Sequence, residues 1–503
     1  MYRFALSLTA TLLSSTAFAA VTPEEVYEIN REVLTRLGLT VVADTSRTGD
    51  TLSVAGGTVS VTFPVVGGGI TIDLPAHDYV DLGDGRVSVV WPRDIEMGVT
   101  VDTPDETTAF SGEFRITSGG SETIVTGTPD DMTFTTTGEA STFEVVPQLE
   151  DGLTFDLTGT AAAYTSLTTI RPGDVMSMTN EISQGAVSVS YIAGGEEGPD
   201  GVSFSIQNET EYGSMDGRTI IQLPDGMDIL DLGNAFRAGL LISGTSSSES
   251  STSRTVQDMQ GTLSVQNQTT GPSDADFSIS AEGLYLGARV ADVVYDMDDP
   301  SLLPMPVTFE ATGLDMIYQL PILADPDPAD VRLRVAAEQL TVADEVWDLF
   351  DTGRGLAREP VDFTFDVAGT VTLGFDLMDM DYYTSLPAFE TPDIRADSIT
   401  IRDIALNALG AQLTAAGDMT LDNDDLETFP GFPRPEGRMT VLTQNAQALL
   451  DQLEEAGLLG SSDVSGARMG LAMVSRVTDE GGTETVVEVN DQGHVIVNGQ
   501  RMY

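Results

Sequence analysis

Two histidines are the side chains best suited to acid–base or metal chemistry in this sequence. His77 stands in the turn-like stretch 74–79, and His494 stands in a hairpin predicted close to the C-terminus. Neither has the companions that a metal site or a catalytic triad requires, because the chain contains no H-E-x-x-H and no G-x-S-x-G motif. We therefore predict that both histidines are surface turn residues without a catalytic role.

Other nucleophiles are scarce. The 503 residues include no cysteine, and all 23 basic residues are arginine, so thiol and Schiff-base chemistries are unavailable. The 79 acidic residues leave a carboxylate-based hydrolase as an alternative. Sugar clefts also use aromatic platforms, and the chain has only two tryptophans, Trp91 and Trp347. The sequence predicts no catalytic residue and no enzymatic activity.

Three acidic turns could hold calcium. They lie at 296–299, 325–330 and 421–425. None has the spacing of an EF-hand loop, which needs glycine at its sixth position and glutamate at its twelfth. We predict that they are solvated loops, and we predict no metal ligand, cofactor-binding residue or cofactor.

The N-terminus has the pattern of a cleavable export signal. Arg3 precedes a short apolar run at 4–13, and Ala17 and Ala19 give the small-x-small pattern that a signal peptidase recognises before Ala20. Residues 1–19 are therefore predicted to be a signal peptide, and the mature protein is expected in the periplasm or outside the cell. No later stretch is long and apolar enough for a transmembrane helix.

The charge excludes one class of partner. A formal net charge of −56 repels nucleic acid and anionic lipid head groups over the range of a Debye length. We predict no nucleic-acid binding.

Most of the chain is predicted to be β-structure. Apolar and polar residues alternate with a period of two, which places one apolar and one polar face on an antiparallel strand. The clearest runs are 132–135, 277–280, 331–335, 361–367, 370–377 and 487–489. Gly369 is interpreted as a break between two of these strands, and the serine-rich segment 246–253 as a mobile loop or hairpin tip.

A few helices accompany the strands. Thr22 and Glu25 form a capping box, and Val26, Ile29 and later apolar residues repeat at helical spacing until Gly38. This helix is expected to dock an apolar stripe onto the sheet. Further helices are predicted at 227–240, 343–350, 442–457 and 463–475.

Together these patterns predict a mainly β, β-rich α+β protein. Residues 20–503 should form a single domain with a large, elongated, curved antiparallel sheet, or two packed sheets. Amphipathic helices would cover its edges and ends, because open sheet edges invite aggregation.

The order of these features resembles the exported, uncharacterised bacterial family catalogued as domain of unknown function 2125. The resemblance rests on stretches 21–26, 342–351, 356–360 and 417–423, the helix around 449–459, and the closing residues 497–500. It implies a shared fold and location, and it implies no activity or site residues. The stretch with Trp347, Leu349 and Phe350 is interpreted as a short helix anchored by aromatic burial, and Arg358 as an ion-paired entry to the next strand.

Three functional hypotheses follow. The first is a non-enzymatic envelope protein that binds a lipid or an envelope protein in an exposed apolar trough, by loose analogy with β-groove lipid-handling proteins of the envelope. The second is a scaffold with a closed core and no small ligand. The third is a carboxylate hydrolase with two acids roughly 5 to 10 Å apart and flanking aromatic residues. The oligomeric state stays open.

Overall fold

A computed structural model describes residues 20–63, 68–102, 108–149, 152–197, 202–229, 231–379, 382, 385, 392–479 and 481–502. The signal peptide predicted over residues 1–19 lies outside the described residues. The chain is dominated by strands, as the alternation predicts, and all of the named strands belong to one antiparallel sheet. The alternative of two separately hydrogen-bonded sheets is therefore wrong.

The strands of the first half are β1 (Thr40–Thr48), β2 (Thr51–Thr62), β3 (Gly69–Leu74), β4 (His77–Asp81), β5 (Val87–Val90), β6 (Asp94–Asp102), β7 (Thr108–Ser118), β8 (Ser121–Thr128), β9 (Asp131–Gly138), β10 (Ser141–Pro147), β11 (Thr154–Ala161), β12 (Tyr164–Arg171), β13 (Val175–Gln184), β14 (Val187–Glu197), β15 (Val202–Tyr212) and β16 (Met215–Pro224). Those of the second half are β17 (Leu241–Ser248), β18 (Ser251–Met259), β19 (Thr262–Thr270), β20 (Ser273–Ser280), β21 (Gly283–Asp298), β22 (Val307–Leu320), β23 (Asp325–Val342), β24 (Val361–Leu373), β25 (Ile394–Ala408), β26 (Ala411–Asp422), β27 (Arg434–Gln444), β28 (Arg476–Val477), β29 (Thr483–Val489), β30 (Val495–Val497) and β31 (Gln500–Arg501).

The sheet is an antiparallel meander of long strands, and each long strand pairs with the long strand before it and the one after it. From β3 to β20, consecutive segments such as β9 and β10 are the two halves of one long strand. The first half of each long strand pairs with the second halves of its neighbours, as where β7 pairs with β10. The paired halves form two runs of segments, which separate after β2 and rejoin at β21. The hydrogen-bonded segments therefore form one closed circuit, with further strands attached to it.

From β7 to β20, a two-residue break interrupts each long strand at the same level. The breaks between β7 and β20 are Gly119-Gly120, Glu139-Ala140, Ala162-Ala163, Gly185-Ala186, Gly213-Ser214, Glu249-Ser250 and Gly271-Pro272. Neighbouring breaks bond to each other, as where the Gly119 amide donates to the Ala140 carbonyl at 3.0 Å. At several breaks the apolar positions shift by one residue, as from Met132 and Phe134 in β9 to Phe143 and Val145 in β10. One extra residue at such a break keeps the apolar residues on one face of the sheet.

Direct cross-strand partners trace this face through the sheet. A row of them runs from Leu52 in β2 through Thr136 in β9 and Val335 in β23 to Thr485 in β29. Partners in direct register point to the same side. We call this side the apolar face and the other side the polar face.

The sheet is largely a single layer. The accessible surface of the chain is 29282 Å², whereas a compact protein of its mass, 53.3 kDa, exposes about 18,000 Å². Much of each face is consequently open to solvent.

The helices are α1 (Pro23–Arg36), α2 (Leu232–Arg237), α3 (Asp344–Trp347), α4 (Ala446–Glu455) and α5 (Ser461–Val474). The capping box of α1 is confirmed, with the Thr22 amide donating to Glu25 at 2.8 Å. The second helix is shorter than predicted, because Asp231 caps it and Gly239 ends it with φ +107°. Leu442 was predicted to be helical, but it lies in β27 and pairs with Thr414 of β26. Within the described residues, no helix has the length and apolar character needed to span a membrane.

Two predictions about strand limits are wrong. Gly369 does not divide two strands, because β24 continues through it and pairs on both sides. The segment 246–253 is not a hairpin tip. Its serines belong to β17 and β18, and the two residues between these strands form one of the mid-strand breaks. Small polar side chains fit the irregular backbone at a mid-strand break. A serine-rich composition, which is typical of a loop, therefore also suits the break between β17 and β18.

The buried core lies where α1 crosses the apolar face. Val26 and Ile29 of the helix are 0% and 4% exposed and belong to a cluster with Tyr79, Met176 and Leu223 from the strands. The Arg36 guanidinium donates to the Leu223 carbonyl at 3.0 Å and so holds the end of the helix against the β16 end. The predicted docking of α1 onto the sheet is confirmed.

Candidate functional site

The apolar face is uncovered over strands β22 to β25. Its large side chains there are between 36% and 42% exposed, and we call this set the apolar patch: Leu314, Met316, Tyr318, Leu333, Val335, Phe363, Ile399 and Leu406. They face the same side because Met316 pairs with Val335, and Phe363 pairs with Leu406. A contiguous exposed apolar surface of this kind marks an interaction site more often than chance exposure of single residues.

The polar face of the same strands is better covered than the apolar patch. Arg332 donates two hydrogen bonds to Asp366, at 3.0 and 2.8 Å, and Arg334 donates to Asp315 at 2.9 Å. The side chain of Asp366 is only 6% exposed. Hydrogen bonds from Arg332 lower the pKa of Asp366 below its ordinary value. These charges satisfy one another, whereas the side chains of the apolar patch keep more than a third of their surface exposed in the part of the chain that the structure describes.

A hollow of about 420 Å³ lies within the apolar patch. Its lining includes Tyr318, Leu333, Phe365, Val367 and Ile399. The side chains that reach it from the apolar face are aliphatic or aromatic. Ligand cavities in proteins typically measure about 300–1,000 Å³, so the hollow is large enough to take an alkyl chain.

A second cavity, of about 410 Å³, lies between α1 and the strands of the first half. The helix contributes Val33 and Leu34, and the strands contribute Val54, Phe134 and Ile170. The end of α1 is held on the β16 end by Arg36, and Val26 of its first turn is buried in the core. We call it the α1 cavity.

His77 lies in the wall of the α1 cavity, so its prediction as a surface turn residue is wrong. It begins β4 and is 9% exposed, with its ring stacked on Trp91 at 4.1 Å between centroids. The hydrogen bonds define its tautomer. Nδ1 lies 3.0 Å from the Pro75 carbonyl, which can only accept, so Nδ1 carries the proton. Nε2 then accepts from the Tyr79 hydroxyl at 3.3 Å, and Tyr79 accepts from Asn30 at 3.2 Å.

This arrangement predicts a pH-dependent stability. Burial lowers the pKa of His77 below 6.5 in the folded chain, so the unfolded chain binds the proton more readily. The free energy of unfolding is expected to fall as pH drops through 6.5 and to be unaffected by His77 above pH 7. In His77→Phe this pH-dependent contribution to the free energy of unfolding disappears. In the unmodified protein, the slope that His77 adds stays below the roughly 1.4 kcal/mol per pH unit expected for one proton.

Urea unfolding of both proteins between pH 5 and pH 8 measures the difference. The loss of the Tyr79 hydrogen bond shifts the variant's curve equally at every pH, so only the slope carries the titration. Parallel curves would show that His77 is not buried in its neutral form.

A larger cavity, of about 990 Å³, lies beside the mid-strand breaks. Its lining consists mainly of serine and threonine with Glu181, Arg218, Asp216 and Asp276, and it includes no aromatic residue. The hydrolase hypothesis predicts carboxylates together with aromatic platforms. This cavity supplies the carboxylates without the platforms, and Arg218 lies 3.5 Å from Glu181 as an ion pair.

The acidic turn at 421–425 is neutralised within the protein. Arg434 contacts Asp422 at 2.7 Å and Asp425 at 3.0 Å. Hydrogen bonds from Thr428 lower the pKa of Asp425. In the part of the chain that the structure describes, no three His, Asp or Glu side chains are grouped closely enough to hold a metal ion.

The loop between β23 and β24 is organised by Arg358. Its guanidinium donates to Asp348 at 2.8 Å just before β24 begins, which confirms the predicted ion-paired entry to that strand. The predicted aromatic anchoring is wrong in part. Trp347 packs on Phe350 at 5.3 Å, but Phe350 and Leu349 are 43% and 48% exposed.

Sequence reasoning anticipated neither site by its residues. Alternation in 331–335 and 361–367 predicted the strands of the apolar patch, but alternation does not say which face remains uncovered. The α1 cavity depends on a helix lying across strands far along the chain. The one available signal was the stretch 74–79, where His77 and Tyr79 alternate as in a strand.

Residues 254–499 match a bacterial family described as "Uncharacterized protein conserved in bacteria (DUF2125)". The matched residues begin within β18 and extend to the turn before β31, so they contain the whole apolar patch. The resemblance drawn from the sequence is thereby confirmed for this part of the chain, whereas the motif at 21–26 lies outside it. No curated protein matches the sequence.

Proposed function

We propose that this protein, related to the DUF2125 family through residues 254–499, is a non-enzymatic exported envelope protein that binds the acyl chain of a lipid on its apolar patch. The observation that carries the proposal is the contrast between the two faces of strands β22 to β25. Side chains on the apolar face are 36–42% exposed, while Asp366 on the polar face is 6% exposed. The carboxylate of Asp366 is shielded from water, while the hydrocarbon side chains of the apolar patch are partly exposed to it.

A lipid fits this surface better than a peptide strand does. Strand addition requires an open sheet edge with unpaired backbone groups. The strands of the apolar patch are all internal, since each is paired on both sides. What remains for recognition is side-chain hydrocarbon around a hollow, and an alkyl chain gains from such a surface through burial alone.

The charge narrows the class of lipid. With a net charge of −56, the protein repels anionic head groups unless salt screens the interaction. A zwitterionic or uncharged head group carries no such penalty. The proposed ligands are therefore lipids with zwitterionic or neutral head groups.

Native mass spectrometry of the protein purified from a bacterial envelope, followed by lipid extraction, tests the proposal. We expect a mature chain that begins at Ala20 and carries a co-purifying lipid. Ile399→Glu, which adds a charge to the apolar patch, should reduce lipid occupancy at least tenfold, a change that corresponds to about 1.4 kcal/mol.

Thr400→Glu is the matched control. It adds the same charge one residue away but on the polar face, where Arg332 and Arg402 line the same small cavity. Its lipid occupancy should equal that of the unmodified protein. An apo mass that does not change on incubation with vesicles, an equal loss in both variants, or a bound protein in place of lipid would refute lipid binding.

A further inference from the structure

The α1 cavity lies on the same face of the sheet as the apolar patch, but it is separate from it. A row of direct cross-strand partners joins Thr136 beside the cavity to Met316 in the patch. Between β13, whose Met178 lines the cavity, and β22 there are five strand steps, or roughly 24 Å along the sheet at about 4.8 Å per step. One alkyl chain anchored in the cavity therefore does not also fill the hollow of the patch.

The polar side chains on the strand side of the cavity are already engaged within the protein. His77 and Tyr79 belong to the hydrogen-bonded chain that ends at the Pro75 carbonyl. The hydroxyl groups of Thr123 and Thr136 bond to each other at 3.0 Å. A ligand that inserted a polar group here would have to break one of these bonds, which leaves a buried group without a partner and costs free energy.

Much of the remaining wall is hydrocarbon: α1 contributes Val33 and Leu34, and the strands contribute Phe134, Ile170 and Met178. Two polar side chains that α1 adds, Asn30 and Arg31, are bonded to Tyr79 and Glu28. The cavity therefore offers an alkyl chain contact from the helix on one side and from the sheet on the other. The open patch offers contact on one side only.

We propose that the α1 cavity is a second, independent binding site that takes the methyl end of a single alkyl chain. The inference takes its ligand class from the proposed function, but it concerns a different site and a different part of the lipid. The polar head group would remain outside, since the strand-side hydrogen bonds are satisfied without it. The protein would then hold two lipid chains on one face.

Tryptophan fluorescence can test the site because the chain has two tryptophans. Trp91 lines the cavity, and Trp347 lies in the loop after β23. In Trp347→Phe, emission reports on the cavity alone. The probe is a lysophosphatidylcholine, which has one chain and a zwitterionic head group, brominated either near the methyl end or beside the carbonyl.

The methyl-end bromine is expected to quench Trp91 emission at least twofold in a saturable manner, and the carbonyl-end bromine is expected to quench it much less. Trp91→Phe, which leaves only Trp347, should show little quenching by either probe. Ala43→Leu, which adds volume at the cavity wall, should abolish the quenching of Trp91. Val33→Phe is the second filling variant if Ala43→Leu does not fold.

Ile399→Glu separates this inference from the proposed function. Combined with Trp347→Phe, it should leave the quenching of Trp91 unchanged even though the patch no longer holds lipid. Absence of quenching in Trp347→Phe, or equal quenching by the two probes, would overturn the cavity site. Loss of Trp91 quenching in the Ile399→Glu protein would overturn its independence.

Discussion

Replacing Val26 with aspartate is expected to destabilise the folded chain by about 4 kcal/mol, because it buries a carboxylate without a partner. Val26 is fully buried at the centre of the cluster that joins α1 to the strands. The same cluster includes Val54, Tyr79 and Met176, none of which offers a positive charge. The aspartate must stay unpaired, take up a proton, or pull the helix away from the sheet.

Urea unfolding followed by circular dichroism measures this effect, and Thr35→Asp is the matched control. Thr35 is exposed on the same helix, so the same charge there should change stability by no more than about 0.5 kcal/mol. If α1 detaches without global unfolding, the Val26→Asp protein should also lose the quenching of Trp91 described above. A Val26→Asp protein as stable as the control would show that α1 does not pack on the sheet in solution.

Gly417→Val is expected to have the next largest effect, a loss of about 3 kcal/mol. A Cβ atom at Gly417 would lie 2.4 Å from the Arg438 carbonyl oxygen and 2.6 Å from the Met439 Cα. Both are backbone atoms of β27, and Gly417 pairs directly with Met439. No side-chain rotation relieves the clash, so β26 and β27 would have to separate locally.

Gly466→Ala is a control that should change stability in the opposite direction. Gly466 lies in α5, and a Cβ atom there would meet nothing within 4 Å. Alanine favours a helix over glycine by about 1 kcal/mol, so this variant should be slightly more stable. Both variants can be compared by thermal unfolding. A Gly417→Val protein as stable as Gly466→Ala would mean that β26 and β27 are not paired in this register.

The sheet shows how one pattern can be correct locally and incomplete globally. Alternation in 132–135 and 331–335 predicts strands, and β9 and β23 contain them. The same alternation shifts by one residue at several mid-strand breaks, for example between Phe134 in β9 and Phe143 in β10. The sequence of one segment does not reveal this shift, because each half of a long strand alternates regularly by itself. Its meaning emerges only when neighbouring strands carry it at the same level.

His77 illustrates the same limit for a single residue. Its neighbours Pro75 and Asp78 are typical of a turn, and that composition favoured the surface prediction. Its burial comes from Trp91 in the segment after β5 and from α1. Three strands, β1 to β3, separate α1 from His77 in sequence order. Local composition describes the backbone that a residue can adopt, but it does not describe what covers the side chain.

The sequence by itself determined the strands, the capping box at Thr22 and Glu25, the ion-paired entry at Arg358 and the acidic character of the surface. Each of these depends on residues within a few positions of one another, whose spacing sets the local backbone or whose charges simply add. The tertiary structure decided that α1 packs against β1, β2, β4 and β16 and leaves the apolar patch exposed. Arg36 holds the end of α1 in place by donating a hydrogen bond to the carbonyl of Leu223, which is 187 residues away in sequence. Burial depends on such contacts between distant segments, and no local spacing encodes them.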